Sequence, residues 1–129
     1  MRPPINLSLT SGLVMLLLAA PVLAHADPIE GTYAVEGTSP GGTGHYRGQA
    51  LVKRTGDTYS VAWKIGRQTF IGTGLVRDKV LSVTFRPPGA NTLPGVVSFE
   101  IDGDKIRNGT WAELGSMRTG SEIWTPTKP

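Results

Sequence analysis

The chain has no cysteine. Disulfides, thiol nucleophiles and thiolate metal centres are therefore excluded, and the core must hold without covalent staples. Histidine is almost as scarce: His25 lies near the N-terminus and His45 is the only other one. Zinc and redox metals draw on several His or Cys ligands, so no metal site is expected, and no cofactor motif is present. A Ser-His-acid arrangement would have to recruit His45 from the edge of a glycine-rich loop, whereas a catalytic base must be held and oriented. Nor is there a block of one charge. The 13 Lys and Arg against 10 Asp and Glu give a net charge of +3, with the basic residues scattered along the chain. No stretch reaches the density of a polybasic patch, so nucleic acid is not an expected partner.

Long apolar runs are missing as well. The longest, Leu13 to Ala20, is uncharged but is followed at once by Pro21. A spanning helix needs roughly 20 apolar residues, and this core is about half that length. With Met1 and Arg2 before it and Ala24-His25-Ala26 after it, the segment has the three parts of a secretory signal. The expectation is a signal peptide over residues 1–26, cleaved near Ala26, and a single domain over residues 27–129. No cysteine follows the apolar core, so a lipoprotein anchor is not expected. The product is read as periplasmic or secreted, with no membrane span in the mature chain.

What the mature part does have is short alternating segments every ten or twelve residues, with turn residues between them, the pattern of an all-β sandwich or barrel. The clearest runs from Asp57 to Ile65, where Tyr59, Val61, Trp63 and Ile65 share one face and Thr58, Ser60, Ala62 and Lys64 the other. The same alternation groups Gly31, Tyr33 and Val35, then Tyr46, Gly48, Ala50 and Val52. It groups Phe70, Gly72, Gly74 and Val76, then Leu81, Val83 and Phe85, then Val97, Phe99 and Ile101. Two further segments, Lys105–Ala112 and Met117–Thr125, have weaker periodicity. Turns such as Thr55-Gly56-Asp57 and Asp102-Gly103-Asp104 suit tight hairpins. Two connections are longer, over residues 38–44 and 87–95, and are rich in glycine and proline. Eight strands joined in chain order predict an eight-stranded antiparallel up-and-down β-barrel, because closure removes the exposed edges. A two-sheet β-sandwich is the alternative.

Four strings carry a family resemblance: Gly31-Thr32-Tyr33, Gly44-His45-Tyr46-Arg47-Gly48, Gly56-Asp57-Thr58-Tyr59-Ser60-Val61-Ala62-Trp63 and Gly72-Thr73-Gly74. Over roughly Gly31 to Phe85 the chain resembles small exported bacterial proteins, some of which carry the label fibronectin-binding protein. That resemblance implies a binding role. A looser likeness links Gly31-Thr32-Tyr33 to the calycin barrels, lipocalins and avidins, whose first strand usually carries Gly-x-Trp. Here tyrosine stands where tryptophan is usual, the chain is shorter than a lipocalin and lacks its C-terminal helix, and no ligand residue of either family transfers.

The residues available for chemistry are few. Glu100, Asp102 and Asp104 offer oxygen ligands of the kind calcium takes, but Asp-Gly-Asp between two strands is already accounted for as a turn. Glu122 shares a strand face with Gly120 and Trp124. If that face is inward its charge needs a partner, and Arg118, on the same parity, is the expected one. The aromatics read mainly as core. Tyr33, Tyr46, Tyr59 and Trp63 are the candidate ligand-binding residues, because buried tyrosine hydroxyls seek partners and a barrel of eight strands can hold one small ligand. Three classes of function follow. The first is a non-enzymatic binding module that takes a protein partner or a small apolar ligand through the barrel mouth and loops 38–44 and 87–95. The second is a structural or envelope-stress protein without a ligand. The third is an enzyme resting on Glu122, His45 or the Glu100–Asp104 acids.

Overall fold

A computed structural model describes residues 27–89 and 91–127. The expected signal peptide, residues 1–26, lies outside them. Eight strands follow in order: β1 (Gly31–Thr38), β2 (His45–Thr55), β3 (Thr58–Ile65), β4 (Gln68–Arg77), β5 (Val80–Arg86), β6 (Gly95–Asp102), β7 (Lys105–Glu113) and β8 (Gly120–Pro126). Each pairs antiparallel with its neighbours in sequence, and β8 pairs back onto β1, so the sheet is a closed up-and-down barrel. The sandwich alternative is thereby set aside. Among the described residues no helix is long and apolar enough to cross a membrane.

The topology gives the barrel two unlike ends. Loops β1–β2, β3–β4, β5–β6 and β7–β8 gather at one, and the short turns β2–β3, β4–β5 and β6–β7 at the other. Gly56, Gly66 and Gly103 sit in tight turns at φ values of 66°, 62° and 65°, the left-handed region that costs glycine nothing. The β1–β2 loop contains one 3-10 turn, Pro40–Gly42.

All nine aromatic residues lie in the interior or pack against it, together with Val35, Val52, Val61, Leu81, Val83, Val97 and Ile106. A barrel this narrow cannot seat so many rings unless other inward positions are empty, and glycines leave that room. Phe85 lies over Gly95, Phe99 over Gly109 and Trp111 over Gly120, each the cross-strand partner of the other. A Cβ on Gly95 would come 2.3 Å from the Phe85 ring and one on Gly109 2.5 Å from Phe99. These aromatic-on-glycine pairs bury ring surface against bare backbone.

The alternation read from sequence holds through β6 with two exceptions at strand ends. Gly31 is exposed, and Val76 is 39% exposed despite its inward parity. In β7 the register shifts: Phe99 pairs with Gly109, but Ile101 pairs with Ile106. One extra residue is accommodated there as a bulge, so Ile106 and Gly109 both face inward and the parity reverses. Strand β8 begins at Gly120 rather than Met117. Residues 114–119 form a loop held by the Ser116 hydroxyl, which accepts from the Arg118 N–H at 3.2 Å and donates to the Arg118 carbonyl at 2.9 Å.

The turn-bearing end is closed by residues 27–30. Ile29 is buried beneath the barrel, and its carbonyl accepts from the Tyr33 hydroxyl at 2.8 Å. Asp27 accepts hydrogen bonds from the Tyr59 hydroxyl and, at 3.0 Å, from Arg54, whose guanidinium carbon lies 5.3 Å from the centre of the Tyr59 ring. Lys105 ties the same segment down by donating to the Pro28 carbonyl at 2.7 Å.

Candidate functional site: an aromatic cavity over a buried glutamate

The opposite end is open. A cavity of about 430 Å³ enters the barrel there, within the range of small-molecule sites. Its walls are Tyr46 from the start of β2, Trp63 and Ile65 from the end of β3, and Phe70 from the start of β4. Phe85 closes the wall from β5, Val97 from β6 and Trp111 from β7. Ser39, Gln68, Pro87 and Glu113 stand at the rim. The two longer loops thus each contribute one residue, Ser39 and Pro87.

The rings are arranged edge to face. Phe85 is the hub, with its centroid 5.8 Å from Trp63, 6.0 Å from Trp111 and 6.3 Å from Phe70. Such tilted contacts match the positive edge of one ring to the negative face of the next. Trp124 lies one layer deeper, 6.0 Å from Trp63 and 4.4 Å from Phe99.

Glu122 enters this apolar volume from β8, only 7% exposed. Its Oε1 accepts from the indole N–H of Trp124 at 2.8 Å and of Trp63 at 3.1 Å, while Oε2 accepts from the Tyr46 hydroxyl at 2.7 Å. Three neutral donors therefore replace the water the carboxylate loses on burial. No Lys or Arg pairs with it among the described residues. Arg118, the expected partner, sits instead in the β7–β8 loop with its side chain against Gly41. The physical reason is the late start of β8: Arg118 precedes the strand, so its parity carries no meaning.

Burial pushes the Tyr46 hydroxyl well above the ordinary tyrosine range. The charge and the hydrogen bond of Glu122 act in the same direction. The Trp111 Nε1 itself has no hydrogen-bond partner and no accessible surface. It packs over Gly120.

Of the four residues singled out from sequence, the cavity brings together two, Tyr46 and Trp63. Tyr33 lies in the core toward the closed end, where its hydroxyl bonds Ile29 and accepts at 3.4 Å from the Ile106 N–H. Tyr59 belongs to the closing latch at Asp27. The three tyrosines do not line one mouth. Phe70 and Phe85, which sequence alternation marks only as core, wall the cavity, and the bulge in β7 hides Trp111 from that alternation.

The other candidates fall apart spatially. His45 is exposed on the outer wall, where Nδ1 is 3.5 Å from the Thr38 hydroxyl. Glu100 is exposed, and Asp102 and Asp104 flank the β6–β7 turn at the closed end. Among the described residues no three His, Asp or Glu side chains converge as metal ligands would. Comparison with known proteins finds no matching family model, curated protein or solved structure.

Proposed function

We propose that this is an exported, non-enzymatic binding protein that holds one small, largely apolar ligand in the open end of its barrel, in the periplasm or outside the cell. The observation that carries the reading is the asymmetry of the interior. Toward the closed end, side chains fill the barrel and residues 27–30 plug it. Toward the open end, five aromatic side chains surround empty volume instead of filling it. An eight-stranded barrel has room for either arrangement, and here it has both in sequence along its axis.

Nile red, a neutral dye whose emission shifts to the blue in apolar surroundings, tests this. It should bind with one-to-one stoichiometry and draw energy from the tryptophans. Val97→Phe, which pushes a ring into the cavity from β6, should weaken binding at least about tenfold while the thermal transition persists. Unchanged dye binding in that variant would refute the cavity as the site.

A second reading, contact with a protein partner, draws on Val96 and Leu114. They are 55% and 68% exposed on the outer wall beside the β5–β6 loop. Shortening the loop within residues 88–93, which spares Pro87 and Gly95, would abolish such binding and leave the dye site intact.

A further inference from the structure

The cavity has a sign. Of the described residues that line it, only two carry a formal charge, Glu113 at the rim and Glu122 at depth, and both are acidic. Among the basic residues adjacent in sequence to the lining, Lys64 has outward parity on β3, Arg67 is exposed in the β3–β4 turn, and two are engaged elsewhere. Arg86, next to Phe85, donates to the Pro87 and Gly89 carbonyls at 3.1 and 2.8 Å. Arg47, next to Tyr46, pairs with Glu36 on the outer surface at 3.2 Å. Trp63, Phe85 and Trp111 line the same volume, and the faces of such rings carry the negative part of their quadrupoles.

Glu122 also has acceptor capacity to spare. A carboxylate offers about four lone-pair positions. Two on Oε1 are taken by Trp63 and Trp124, and one on Oε2 by Tyr46. The remaining position is on Oε2, on the side chain that reaches the cavity. The three donors to Glu122 are neutral, and among the described residues it has no cationic partner.

Taking the small-ligand reading of the cavity as its basis, we infer that the ligand is an organic cation: an ammonium group on a flat apolar body. The ammonium donates to Glu122 Oε2 and lies against the indole and phenyl faces, as in aromatic cages for alkylated amines. The body fills the volume between Trp63, Phe70, Phe85 and Trp111. A neutral ligand of the same shape gains the apolar contacts alone. An anionic one meets a carboxylate in a low-dielectric pocket and is rejected.

The test displaces Nile red from the folded domain with three compounds that share one ring system: tryptamine, tryptophol and indolepropionate. Tryptamine should compete at least about tenfold better than tryptophol, and indolepropionate should be the weakest. In Glu122→Gln, which keeps the shape and an acceptor for the indoles, the advantage of tryptamine over tryptophol should shrink to less than about twofold. If that variant does not fold, the ranking on the unaltered protein decides alone. Tryptophol competing as well as tryptamine, or indolepropionate best of the three, would overturn the cationic ligand and leave the cavity reading standing. Failure of Nile red to bind at all would remove both.

Discussion

Gly37 and Tyr46 face each other across β1 and β2, and a Cβ on Gly37 would lie 2.0 Å from the tyrosine ring. Gly37 also pairs with Glu122 across β1 and β8. One empty position thus lets Tyr46 lie flat against the wall and deliver its hydroxyl to the carboxylate. Gly37→Ala is expected to displace that ring, break the Tyr46–Glu122 hydrogen bond and lower stability by about 1–3 kcal/mol, the usual range for overpacking. Urea denaturation measures the loss, and a ΔΔG near zero would show that the ring has other room.

Removing the carboxylate should cost more than neutralising it. Glu122→Leu leaves the Trp63 and Trp124 indoles and the Tyr46 hydroxyl without an acceptor, at about 1–3 kcal/mol for each buried group left unsatisfied. Glu122→Gln retains an acceptor and should cost much less. Equal denaturation midpoints for the two variants would mean that the three hydrogen bonds do not constrain the barrel.

How much of this was legible in the sequence depends on which residue is asked about. The strands β1–β6 announce themselves because one residue in two is apolar and the turns are tight. Strand β7 does not, since the bulge between Ile106 and Gly109 puts both on the same face and erases the alternation on which Trp111 would have been placed. The grouping of tyrosines failed for a different reason. In an up-and-down barrel the start of an even strand and the end of an odd one share an end. Tyr46 opens β2 and Trp63 closes β3, so they meet, whereas Tyr33 and Tyr59 open odd strands and fall at the other end. That rule was available once the strand order was assumed. The partners of Glu122 were not, because they come from β2, β3 and β8 and depend on barrel closure and shear.

Acid should loosen the closed end first. Burial alone would raise the Asp27 carboxyl, but hydrogen bonds from Tyr59, the Ile29 N–H and Arg54, with the Arg54 charge, outweigh it and hold the group below its ordinary 3.8. A depressed folded-state value adds stability that is fully present above the unfolded-state value and is lost as pH falls through the folded one. Stability of the unaltered protein should therefore fall more steeply below about pH 4 than that of Asp27→Asn. Parallel acid limbs for the two proteins, followed by tryptophan fluorescence, would exclude the latch as their source.

Alkali should act through the tyrosines. Burial raises Tyr33, Tyr46 and Tyr59 above the ordinary value of 10.0, with carboxylate hydrogen bonds adding to the rise in Tyr46 and Tyr59. The folded state then keeps protons that the unfolded chain releases, so stability is held below pH 10 and declines as pH rises past it. Ultraviolet titration should show no tyrosine ionising at its free value before unfolding begins. A reversible step near pH 10 in the folded protein would count against the buried setting of at least one of them.

The central claim is that the open end of the barrel is a ligand site, and the three tryptophan indole N–H groups report on it directly. In a proton–nitrogen correlation spectrum of the labelled domain titrated with Nile red, the Trp63 and Trp111 indole signals should shift together with the amides around Tyr46, Phe70 and Phe85. The amides of residues 27–30 and of the Asp102–Asp104 turn should stay where they are. Shifts confined to the closed end or to the outer wall near Val96 and Leu114, with the indole signals unmoved, would contradict the account.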